Sequence, residues 1–217
     1  MKQLILAIAC ILAATAMDAQ TVSRTTVDQY RQMVSTCTGG DVPQHRQTFQ
    51  QCNDRLEKWG FTYNRSGVVD MYTVHMYPFF RKEGEDTVGC MLATADDAVT
   101  SVSGIFTSKE ASHTFALLAG AAELQESIAN ERGMTKFVCS VKGNVKNKFP
   151  KNVAELKEVL AEAGVDNVKW VFVSWESADR KQVATMIYDN KIYGKKKPKV
   201  SDRVELTLSV SDSRDLR

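Results

Sequence analysis

Residues 71–106 read MYTVHMYPFFRKEGEDTVGCMLATADDAVTSVSGIF. From Met71 to Phe80 the side chains alternate, with Tyr72, Val74, Met76 and Phe80 on one side and Thr73, His75 and Tyr77 on the other. Successive residues of a strand point to opposite faces, so this period of two predicts a strand buried on one side. Pro78 has no N–H for a ladder, which predicts an edge strand or an early end to the pairing. The polar run Lys82-Glu83-Gly84-Glu85-Asp86 predicts a turn. A second strand follows over 87–94 with Val88, Cys90 and Leu92 on one face. Ala95-Asp96-Asp97 turns the chain again into a third strand over 98–106. Three short strands joined by tight polar turns predict an antiparallel meander.

Upstream, Val27, Tyr30, Val34 and Cys37 recur at helical spacing, predicting a helix over 25–37. The cluster 38–43, with Gly39, Gly40 and Pro43, breaks it. A second helix is expected over 43–59, with Phe49, Cys52, Leu56 and Trp59 on its apolar face and Gly60 as its stop. Downstream, Ser108 is placed to cap one long helix reaching Arg132, with Leu117, Ala121, Leu124 and Ile128 as its stripe and Gly133 at its end. A strand over 135–141 follows. Asn152 with Glu155 three residues on predicts a capped helix over 153–163. Strands over 168–175, 182–188 and 203–210 complete the chain. The first of these is apolar on nearly all sides and reads as central; the tail 211–217 reads as frayed.

A helix followed by three strands thus occurs twice, over 43–106 and 152–210. The expected class is α+β: antiparallel sheet with packed helices, in two αβββ-like halves. Residues 20–217 read as one domain, the best internal boundary lying at 133–150.

The first residues carry a separate message. Lys2 precedes an uncharged run of 11 residues, Leu4 to Ala14, and small residues follow it. This is the pattern of an export signal at 1–19, cut after Ala19 or, alternatively, after Ala16. The run is shorter than the about 20 apolar residues of a spanning helix, and no other stretch approaches that length. The expectation is a soluble chain outside the cytoplasm, in the periplasm or secreted. Cys10 would leave with the leader.

Four cysteines remain: Cys37, Cys52, Cys90 and Cys139. An even count in an exported chain suggests disulfides, because the compartment is oxidising. The short connection between the first two helices makes Cys37 and Cys52 a plausible pair. Cys90 and Cys139, each on the apolar face of a strand, are the other pair. The competing reading is four buried free thiols.

Chemistry is thinly represented. His45, His75 and His113 are the only histidines. His75 is the best candidate for an acid–base role, but the strand period points it and Cys90 to opposite sides of the sheet. The acid clusters Glu83/Glu85/Asp86 and Asp96/Asp97 lie in turns. No nucleophile elbow, phosphate loop, dinucleotide fingerprint or metal-ligand spacing occurs, and no cofactor or metal is expected. Asp86-Thr87-Val88 resembles the Asp-Thr-aliphatic acceptor of O-glycosylation in exported bacterial proteins.

Charge is uneven. From Gln20 to Gly133 there are 10 Lys/Arg against 14 Asp/Glu, and from Met134 onward 17 against 11. Lys191, Lys195, Lys196, Lys197 and Lys199 crowd one loop; Lys142, Lys146, Lys148 and Lys151 crowd another. The leading expectation is an exported, non-catalytic domain that binds an unknown protein or envelope component, and no nucleic acid. One alternative is an envelope hydrolase using His75 or a cleft carboxylate. The other is a binder of anionic surfaces through the 191–199 loop, with Lys195, Lys196, Lys197 and Lys199 as its contacts.

Overall fold

A computed structural model describes residues 28–39, 45–71, 74–144, 148–199 and 201–214. The expected leader, both cleavage points, Pro43 and Lys146 lie outside the described residues.

Helix α1 (28–37) turns Tyr30, Met33, Val34 and Cys37 inward. Helix α2 (Phe49–Lys58) begins later than residue 43 because Thr48 caps it. The Thr48 hydroxyl accepts from the Gln51 N–H, and the Gln51 side chain accepts from the Thr48 N–H. This reciprocal box satisfies two of the first turn's orphan donors. At the other end Gly60, at φ +79°, supplies the left-handed turn.

Short strands β1 (Thr62–Tyr63) and β2 (Val69–Met71) both lie against β3 (Val74–Glu83). Pro78 falls in the gap between their pairings, so β3 runs on to Glu83 with no ladder donor missing on that side. Strands β4 (Asp86–Ala95) and β5 (Ala98–Ser108) complete the meander. Their two-residue turn places Asp96 and Asp97 at φ 49° and 63°. A right-twisted hairpin demands such positive φ values, and Asp tolerates them.

The expected long helix is two, α3 (Ala111–Ala116) and α4 (Leu118–Glu131), broken at Leu117, whose N–H bonds Thr114 in a tightened turn. Ser108 is not the cap. It closes β5, and its hydroxyl accepts from the Glu110 N–H. Next come β6 (Lys136–Gly143) and α5 (Val153–Ala163). The Asn152 side chain accepts from the Glu155 N–H as expected, while the Glu155 carboxylate takes the Lys151 N–H. Strands β7 (Val168–Glu176), β8 (Gln182–Asn190) and β9 (Val204–Asp212) follow.

All nine strands form one antiparallel sheet in the order β1-β3-β4-β5-β9-β8-β7-β6, with β2 also on β3. The two αβββ halves, α2-β3-β4-β5 and α5-β7-β8-β9, join through their last strands, β5 against β9 over Ser101–Ser108 and Val204–Ser211. A two-fold at that seam would produce the same order. The seam is therefore central, and β7, expected in the middle, is next to the edge. Its second apolar side, Trp170 and Phe172, reads as buried in the sequence but lies on the face away from the core.

The core lies on one face. Phe79, Cys90, Leu92, Val102, Leu206, Leu208, Met186, Tyr188, Val171 and Val173 are all buried there, with α4 presenting Leu118, Ala121, Ala122 and Ile128. In β3 the expected sides are exchanged. The register sets Phe79 opposite Cys90 and Tyr77 opposite Leu92, so these rings face the core, and Met76 and Phe80 face away. Gln125 of α4 is fully buried. It accepts from the Tyr30 hydroxyl (3.3 Å) and donates to the carbonyls of Thr185 (2.6 Å) and Ser209 (3.1 Å), pinning the helices to the sheet centre. The tail is not frayed at its start. β9 reaches Asp212, and the Ser213 N–H bonds the Lys181 carbonyl at 2.8 Å.

Candidate functional site

The chain's two lysine clusters are far apart in sequence and leave the same end of the sheet. β6 ends, β7 begins, β8 ends and β9 begins at one end of the sheet, where Lys142, Trp170, Asp189 and Glu205 share a row. The chain leaves β6 toward the first cluster and β8 toward the second, at starting points two inter-strand gaps or about 10 Å apart, and Lys148 then lies one gap further out, on the free edge of β6. Backbone bonds in both directions between Val141 and Lys148 fold the first loop back along the edge of β6. Pro150 is buried, and Phe149 is thereby turned outward with 69% of its surface exposed, the most of any large apolar side chain described.

Within this end, Lys195 bonds Asp202 at 2.9 Å, which holds that carboxyl below its ordinary range. Lys191 lies 3.9 Å from both Asp189 and Glu205. The Lys142 ammonium sits 4.8 Å over the Trp170 ring. Lys148, Lys151, Lys169, Lys196, Lys197 and Lys199 are exposed. Among the described residues no salt bridge engages those six. The result is a solvent-facing set of ammonium groups at one end of the sheet, of which Lys199 shares the field of Asp202, with the Phe149 ring projecting next to Lys148. Lysine is a mobile point charge with three donors, suited to spread anionic surfaces more than to one fixed geometry.

The other candidates separate. Cys37 and Cys52 form a disulfide across α1 and α2, with Cα atoms 6.4 Å apart. Cys90 and Cys139 are free and buried. They do not pair, because β4 and β6 are five gaps apart, about 24 Å. Burial pushes both thiols up to about 12. His75 and Cys90 share a face, contrary to the strand-period expectation, because β3 is turned over. They stand four residues apart along the sheet, roughly 13 Å. His75 instead meets Asp70, with Nδ1 2.6 Å from the carboxylate oxygen. His113 lies between Asp86 (3.1 Å) and Glu110 (3.2 Å). Among the described residues no three His, Cys, Asp or Glu side chains gather to hold a metal, and no helix is long and apolar enough to cross a membrane.

Two features escape sequence reasoning. Phe149 has no periodic context, and only its lysine neighbours signal it. The second is a buried charge cluster, in which Asp212 is enclosed by Arg46, Arg132 and Arg214 from three separate segments. Comparison with protein-family models, with curated proteins and with solved structures gives no match.

Proposed function

We propose that this chain is an exported, non-catalytic docking domain that holds an anionic envelope surface by the lysine-bearing end of its sheet. The observation that carries the reading is that both lysine-bearing loops leave the same end of the sheet, with Phe149 exposed between Lys148 and Lys151. Each basic side chain close to an anionic lipid surface contributes about 1 kcal/mol, within a Debye length of roughly 8–10 Å. Lys148, Lys151, Lys196, Lys197 and Lys199 together then supply about 5 kcal/mol, a dissociation constant of a few tenths of a millimolar. Insertion of Phe149 into the head-group region strengthens it. The disulfide accords with export, and removal of residues 1–19 completes the reading. The intact mass of the protein recovered from its cells tests the cleavage.

Vesicle co-sedimentation tests the docking. Vesicles containing phosphatidylglycerol should bind the chain, pure phosphatidylcholine should not, and rising salt should weaken binding. Reversing Lys195, Lys196 and Lys197 to Glu should cost at least about 100-fold, some 3 kcal/mol. Phe149→Ser should weaken binding with the salt dependence unchanged. Salt-independent affinity, or full binding by the triple reversal, overturns the reading.

A further inference from the structure

Helices α1 to α5 pack on one face of the sheet and none of them covers the other, where the short turn 65–67 lies against the Pro78 ring at one corner. Two rows cross seven strands on that open face. One runs from Phe80 through Ile105, Thr207 and Ile187 to Phe172, the other from Pro78 through Ser103, Ser209 and Thr185 to Val138. The two rows hold fourteen positions, and none is charged, in a chain that is 25% charged. Antiparallel sheets that meet water on one face alternate apolar with polar and charged groups. Here charge is confined to the rows at either end, where Lys136 pairs Glu176 at 2.8 Å and Lys191 lies between Asp189 and Glu205. An uncharged centre inside a charged border is the anatomy of a protein interface.

We infer that this face joins a second copy of the chain, sheet against sheet. Its size fits. Counted with the charged row at either end, six gaps of about 4.8 Å by three two-residue steps of about 6.8 Å, widened by side-chain reach, give roughly 800 Å² per partner, the area of a standard stable interface.

Its middle can face itself. The central strand β9 brings Thr207 and Ser209, its neighbours add Ser103, Ile105, Thr185 and Ile187, and the outer strands mix apolar groups with Ser174 and Ser140, Phe80 and Val138 being 41% and 43% exposed. A two-fold axis parallel to the strands lays each flank on the opposite flank and β9 on itself, the isologous arrangement of a closed dimer. At the centre Thr185 pairs with Ser209 at 2.7 Å and Thr207 donates to Glu205 at 3.1 Å. Covering these hydroxyls leaves few polar groups unsatisfied, and their small size permits the roughly 10 Å approach of packed sheets.

Sedimentation of the chain from Gln20 onward, between about 1 and 100 μM, tests this. The wild type should show the mass of two copies. Ser209→Arg and Ile187→Lys, each placing a charge in the uncharged rows, should show one, with unchanged circular dichroism. Lys136→Glu, on the border, should remain a dimer. If one central variant fails to fold, the other decides. A wild type with the mass of one copy across the whole range overturns the inference, whatever else the face binds. So does a folded central variant that stays dimeric.

Discussion

Replacing Asp212 by Asn leaves its shape and removes its charge. The carboxylate is fully buried and receives Arg214 through Nε (3.0 Å) and Nη2 (2.7 Å), Arg46 through Nη2 (3.1 Å) and, more distantly, Arg132 through Nη1 (3.9 Å). Arg46 and Arg132 are themselves only 7% and 4% exposed at the side chain. The substitution strands guanidinium charge in a site with little water. Breaking a buried pair from one side costs about 3–5 kcal/mol. At about 2–4 °C per kcal/mol for a chain of this size, Tm should fall by roughly 6–20 °C. Acid should erase the difference. Burial alone would raise the Asp212 carboxyl, but hydrogen bonds from Arg214 outweigh it and hold the group below its ordinary range. A carboxyl depressed in the folded state stabilises above its unfolded value, about 3.9, and that contribution disappears as pH falls through the folded value. Urea unfolding of wild type and variant at neutral pH and at steps below about pH 4 measures both effects. A loss under about 1 kcal/mol at neutral pH, or a gap that does not narrow in acid, refutes the reasoning.

Two further outcomes follow from the core. The 15-residue separation of Cys37 and Cys52 makes their disulfide worth about 3 kcal/mol by loop entropy, so reduction should lower Tm by roughly 6–12 °C. Thiol titration in denaturant of the chain from Gln20 onward should find Cys90 and Cys139 without reductant and Cys37 and Cys52 in addition with it, and four from the outset would contradict the bridge. At Gly104 an added Cβ would stand 2.9 Å from the Tyr30 ring. Gly104→Ala should therefore cost about 1–3 kcal/mol by overpacking, read by urea midpoint, and a neutral result would show that Tyr30 yields freely.

How far the site was legible depended on the range of the interaction involved. The lysine clusters stand out as composition, and each was visible alone. That both leave one end of the sheet needed the pairings of β6 with β7 and β7 with β8. Asp212 looked like part of a polar tail because none of its arginine partners is within helical or strand reach except Arg214. The face of β3 was misread for a related reason. Tyr77 and Phe79 on one side and Met76 and Phe80 on the other are both apolar enough, and only the register with Cys90 and Leu92 decides which pair meets the helices.

By itself the sequence determined the local structure. Period-two runs, the Asp96-Asp97 turn, the Asn152 cap and the stops at Gly60, Gly133 and Gly164 follow from backbone sterics and from hydrogen bonds within a few residues. The α+β class and the two αβββ halves follow from those elements in order. Only the tertiary structure decided that β5 and β9 make the seam, that helices α1 to α5 share one face, and that two basic loops leave the same end of the sheet. Those outcomes depend on pairings across some hundred residues, where closing the chain costs entropy that only the whole buried core repays.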